Sequence, residues 1–141
     1  MEKQFKQISF IGFGLINSSL ARIVKNNSLA KKIIAYSRTE ETRTKIKKLN
    51  IVDEVADDLN NPVRNADLIV LGVPVGAMEN IIKECSSSIK QGAILTDVGS
   101  IKKSIIDSII PLLPKGVEFV PGHPIAGTEK SGPEAGFEKL F

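Results

Sequence analysis

The 141-residue chain has one cysteine, one histidine and no tryptophan. A lone cysteine, Cys85, cannot form an internal disulfide, so no disulfide framework holds this fold. No apolar run approaches the roughly 18 residues that a membrane helix needs. No signal-peptide pattern precedes Ile8, and the chain reads as cytoplasmic. Charge of one sign is also scarce: 19 Lys and Arg against 16 Asp and Glu leave a net charge of +3. The basic residues, among them Lys25, Lys31, Lys32, Lys45, Lys47 and Lys48, are scattered as on solvated helix faces. Aromatics are 5% of the chain, and no basic stripe interleaved with them marks a nucleic-acid surface. No cluster of His, Cys, Asp and Glu has the spacing of a metal site. The remainder is ordinary globular composition, 42% hydrophobic and 25% charged, at a length that suits one domain with a real core.

The scarcity of histidine singles out His123. No other side chain here has an ordinary pKa near neutrality, so acid–base chemistry at neutral pH would fall to it. It sits in Gly122-His-Pro-Ile-Ala-Gly-Thr-Glu-Lys-Ser-Gly132, a stretch of small and turn-forming residues that reads as a loop. Glu129 and Lys130 in that loop are equally readable as surface charges.

Short continuous apolar runs alternate with helical spacings. Strands are predicted at 8–11, 33–36, 67–73, 93–96 and 117–120, with a weaker one within 52–56. Ile16, Leu20, Ile23 and Val24 fall at helical spacing and end at Asn26-Asn27. Thr39 suits an N-cap for a polar helix reaching about Leu49. Met78, Ile81, Ile82 and Cys85 share one helix face, which makes Cys85 a packed core thiol and not a nucleophile. Ile101, Ile105, Ile106 and Ile109 line a further helix, ended by Pro111 and Pro114. Strands that are apolar throughout are covered on both faces. The pattern therefore predicts an α/β, doubly wound parallel sheet of Rossmann type. The chain stops at Phe141 with no closing helix, and the reading expects a truncated fold.

Gly12-Phe-Gly14-Leu-Ile-Asn17 follows the first strand and opens the first helix, the placement that turns a weak motif into a dinucleotide-binding signal. Gly12 allows the tight turn and Gly14 lets a pyrophosphate approach the backbone. The N–H groups at Leu15, Ile16 and Asn17 then face the anion. Asn17 occupies the place of the third glycine, which normally permits close helix–strand packing. The expectation is that its side chain points outward or bonds the phosphates, tolerated because Ser18 and Ser19 are small. The second strand ends Tyr36-Ser37-Arg38, without the carboxylate that binds the ribose hydroxyls of NAD. A hydroxyl and a guanidinium suit a 2′-phosphate, which predicts NADP in preference to NAD. Ser37 and Arg38 could also simply begin the turn, and Glu40 or Glu41 could reach the ribose. Ligands in such sheets bind beyond the carboxyl ends of the strands. Val73-Pro74, Asp97-Val-Gly99-Ser100 and the His123 loop all fall there. Ser100 is also a natural N-cap for the helix after it.

The blocks GFGLINSSLA, LGVPV, DVGSIK and GHPIAGTEKSG together resemble the prephenate/arogenate dehydrogenases of tyrosine biosynthesis, from Ile8 to Phe141. The last block is the most specific, because other Rossmann dehydrogenases share the glycine turn but not that loop. The resemblance implies oxidative decarboxylation of prephenate or arogenate, with hydride transfer to NAD(P). It implies that His123 removes the substrate hydroxyl proton, that Ser100 lies close to substrate and nicotinamide, and that Glu129 governs access to the site. Val73, Pro74 and Gly99 join the cofactor-binding set. No metal is implied. It also implies a second, helical domain that supplies the dimer interface and further substrate-binding groups. Residues 1–141 would then be the NAD(P)-binding domain alone, binding cofactor but turning over poorly. Two alternatives stay open: another Rossmann oxidoreductase, of β-hydroxyacid or pyrroline-5-carboxylate type, or a non-catalytic nucleotide-binding module.

Overall fold

A computed structural model of the chain describes residues 5–100, 102–122 and 132–137. The apolar runs become strands and the helical spacings become helices. In chain order these are β1 (Phe5–Ile11), α1 (Leu15–Asn26), β2 (Ala30–Tyr36), α2 (Glu40–Leu49), β3 (Glu54–Ala56) and α3 (Asn60–Arg64). β4 (Leu68–Leu71), α4 (Val75–Cys85), β5 (Ile94–Asp97), α5 (Lys102–Ile109) and β6 (Glu118–Val120) follow. Short 3-10 turns occupy Ser86–Ser88, Ile110–Leu112 and Pro133–Ala135.

The strands form one six-stranded sheet in the order β3-β2-β1-β4-β5-β6, and every pairing is parallel. This is the doubly wound architecture the alternating pattern predicts. Side chains alternate along the strands to feed a core on each face. On one face Ile8, Phe10, Ile33, Ala35 and Val70 pack with Ala21 and Val24 of α1 and Ile46 of α2. On the other, Ile11, Ile69, Leu71 and Leu95 pack with Met78, Ile82 and Cys85 of α4 and with Ile105 and Ile109 of α5. Cys85 is buried, and desolvation pushes its thiol up to about 11. That environment fits a packing role, since the thiolate is the reactive form.

Thr39 caps α2 as its sequence suggests, its side chain accepting the Thr42 N–H at 3.3 Å. Two elements depart from the expectation. The helix α3 is five residues with a proline inside, too short to show a period. Tertiary bonds hold it: Ser9 Oγ and Gln7 Nε2, both on β1, donate to the Pro62 carbonyl at 2.6 and 3.1 Å. In α1 the buried side chains are Asn17, Ser18, Ser19, Ala21 and Val24, while Ile16, Leu20 and Ile23 are only partly covered. Small side chains line the buried face of this helix, so hydrophobic spacing alone misplaces its inner stripe.

No helix among the described residues is long and apolar enough to cross a membrane.

Candidate functional site

Register sets the site. Ile11 pairs with Tyr36 on one side and with Leu71 on the other, and Leu71 pairs with Asp97. The strands β1, β2, β4 and β5 therefore end level, and their following loops start from one edge. The chain leaves β1 toward β2 on one side and returns to β4 on the other. The crevice between these diverging loops is where such sheets take ligands.

At the centre of that edge is the glycine turn. Gly12 has φ +83°, and a Cβ there would stand 2.6 Å from the Gly72 carbonyl oxygen. Its N–H donates to the Tyr36 carbonyl at 2.9 Å. Only glycine fits, on both conformational and steric grounds. Gly14 is different: a Cβ built there meets nothing within 4 Å. Its bareness keeps a space in front of the helix open. No side chain caps α1, and its first turn holds no acidic residue. The amides at its N-terminus and the positive end of the helix dipole thus face that space. The backbone at Gly14, Leu15 and Ile16 fits a pyrophosphate.

The structure corrects the expectation for the Asn17 side chain. It turns inward and is 1% exposed. Its Nδ2 donates to the Gly12 carbonyl at 2.8 Å and to the Val70 carbonyl at 3.3 Å. It neither points outward nor reaches toward a phosphate. Nor do Ser18 and Ser19 make the room for it. Gly72, at the end of β4, does so: a Cβ there would lie 2.3 Å from Asn17 Nδ2. The missing glycine of the helix is replaced by a glycine on the facing strand. Among the described residues the buried Asn17 Oδ1 has no hydrogen-bond partner.

A cavity of about 420 Å³ opens beside the glycine turn. It gathers Gly12, Ser37, Arg38, Val73 and Pro74, five residues that sequence reading assigned to cofactor binding. Glu40 and Glu41 are not part of its wall, and Glu41 pairs with Lys45 at 3.7 Å. Sequence reading missed Arg43. From the first turn and a half of α2, its Nη1 donates to the carbonyls of Ser37 and Arg38, both at 2.9 Å. The available signal was a basic residue one turn into the helix that follows the β2 tip.

Further along the edge, Asp97 ends β5 as a buried carboxylate, 1% exposed. Its Oδ2 accepts the Gly99 N–H at 2.9 Å and its Oδ1 the Gly122 N–H at 3.2 Å. Ser100 is exposed, one residue beyond Gly99. His123 and Glu129 lie outside the described residues. Among the described residues no group of three or more His, Cys, Asp and Glu side chains could hold a metal ion.

Residues 20–141 match the family model for the nucleotide-binding domain of prephenate dehydrogenase. A cyclohexadienyl dehydrogenase of Zymomonas mobilis is 42% identical over 137 residues, covering 97% of this chain and 46% of that protein. Among solved structures, prephenate dehydrogenase from A. aeolicus, in complex with hydroxyphenyl propionate and NAD+, superposes with a TM-score of 0.88. It is 30% identical, over 99% of this chain and 49% of that one. An arogenate dehydrogenase from Synechocystis gives a TM-score of 0.85 at 31% identity, over 96% and 46% of the two chains. The chain thus spans about half the length of these relatives.

Proposed function

The chain belongs to the prephenate dehydrogenase nucleotide-binding domain family. From that premise we propose that residues 1–141 form the cofactor-binding half of a prephenate or arogenate dehydrogenase. The observation that carries the cofactor part is the uncapped N-terminus of α1 behind Gly14. The backbone N–H groups of Leu15 and Ile16 hold the pyrophosphate there. The adenosine end lies in the cavity of Ser37, Arg38, Val73 and Pro74. Arg38 and Ser37 bond a 2′-phosphate, so NADP is preferred over NAD. Arg43 holds the carbonyls of both residues and so keeps their turn in shape for that contact. Gly99 and Ser100 lie toward the nicotinamide and the substrate.

The nicotinamide, when bound, supplies a two-electron hydride acceptor. His123 takes the proton of the ring hydroxyl as hydride leaves the same carbon. The bond to the ring carboxylate then breaks, carbon dioxide departs, and the electron pair makes the ring aromatic. The new phenol oxygen takes a proton back. Glu129 governs access to this site. The substrate's other carboxylate is held by groups outside residues 1–141, in a helical domain that also forms a dimer.

The test is steady-state kinetics of the full-length gene product with prephenate and arogenate, each with NADP+ and NAD+. Turnover of one or both substrates, more efficient with NADP+, is expected. Truncating the guanidinium in Arg38→Ala lowers efficiency with NADP+ by about tenfold or more, the worth of a charge-assisted bond, and leaves NAD+ nearly unaffected. A strong NAD+ preference in the unmodified protein would refute the role given to Ser37 and Arg38.

A further inference from the structure

Among the described residues, Asp97 is the one ionisable side chain buried with the polar residues of the fold. Burying a charge is costly unless hydrogen bonds compensate, and here the compensation comes from two different loops. Oδ2 accepts from Gly99 N–H, in the loop after β5, and Oδ1 accepts from Gly122 N–H, after β6. Both glycines are fitted around it. A Cβ on Gly99 would stand 3.1 Å from Asp97 Oδ2 and 2.8 Å from Ile105 Cδ1. A Cβ on Gly122 would stand 2.7 Å from the Asp97 carbonyl oxygen. The next residue after Gly99 is Ser100, and the next after Gly122 is His123. One carboxylate therefore fastens the two backbones that lead into both residues given chemical roles above.

We propose that Asp97 is a positioning residue for the reaction: it ties the backbone at Gly99, which precedes Ser100, to the backbone at Gly122, which precedes His123, and fixes the spacing of these two anchors. This rests on the dehydrogenase reading above. Asp97 is not among the residues that line the cavity of Gly12 and Arg38, so its loss acts on turnover more than on adenosine binding. A carboxylate accepts from both N–H groups, whereas an amide accepts from only one of them and presents its own N–H to the other.

The test uses the full-length protein with Asp97→Asn and, as a second variant, Gly122→Ala, which keeps the carboxylate but crowds one anchor. Cofactor affinity, turnover per bound cofactor, thermal stability and hydrogen exchange of the Gly99 and Gly122 segments are measured together. The expected result is faster exchange in both segments and kcat per bound cofactor lowered about ten- to a hundredfold, the cost of a misplaced reacting group. Cofactor affinity changes little. Unchanged turnover per bound cofactor in Asp97→Asn, or unchanged exchange at Gly99 and Gly122, overturns the proposal. So does a loss of turnover that only tracks a loss of folded, cofactor-binding protein. If the unmodified protein turns over neither substrate, the dehydrogenase reading fails instead, and the exchange measurement still decides whether Asp97 ties the loops.

Discussion

Asn17 and Gly72 work as a pair. The asparagine amide bridges the Gly12 and Val70 carbonyls, welding the glycine turn to β4 in space that Gly72 leaves empty. Asn17→Gly would restore the usual motif, yet it removes two buried hydrogen bonds and adds helix flexibility. It is expected to destabilise by about 1–3 kcal/mol, moderated by removal of the unpartnered Oδ1. Gly72→Ala drives a methyl into the Asn17 amide and costs about 1–3 kcal/mol as overpacking. The double variant costs less than the sum of the two, because without Asn17 the new methyl has room. Denaturant unfolding of the three variants checks this, and strict additivity would show that the two residues do not share one space. The motif spacing marked Asn17 as a departure from the pattern. It could not show the resolution, because Gly72 is 55 positions away in sequence and meets Asn17 only through β1–β4 pairing.

At the scale of elements, strands and long helices were legible because burial on both sheet faces forces continuous apolar runs, and because Thr39 carries its own capping chemistry. The helix α3 and the inner face of α1 were not, because tertiary hydrogen bonds and close approach decide them. Asp67 shows the same long-range logic before β4. Its carboxylate accepts the Lys6 and Gln7 N–H groups at the start of β1 and pairs with Lys90. Partial burial works to raise its pKa, but the Lys90 bond and the two backbone N–H groups prevail and hold it below the usual carboxylate range. A carboxyl group depressed in the folded state adds stability above its unfolded pKa of about 3.9. That contribution is lost as pH falls through the lower folded value. Asp67→Asn should therefore lower the melting temperature at neutral pH and flatten the decline of stability on acidification below about pH 4. A variant with the same acid profile as the unmodified protein would show that Asp67 makes no such contribution.

For the molecule as a whole, the site is a property of level strand ends. Ile11, Tyr36, Leu71 and Asp97 stop in register, and the loops after them bring Gly12, Ser37, Arg38, Val73 and Pro74 around one cavity. Those five could be picked out beforehand because glycine, proline and a basic residue directly after apolar runs are local signals. Arg43 and Asp97 bond backbone groups of the loops at this edge, and residue type and spacing alone do not give those partners. The chain spans about half of its relatives' length, and under the proposed function it is the cofactor-binding half of a two-part catalytic site. The most direct measurement compares residues 1–141 with the full-length gene product for NADP+ binding and for reduction of NADP+ in the presence of prephenate or arogenate. Both are expected to bind cofactor, and only the longer protein is expected to turn over substrate. Equal turnover by the 141-residue chain, or none by the full-length protein with either substrate, would contradict the proposed function.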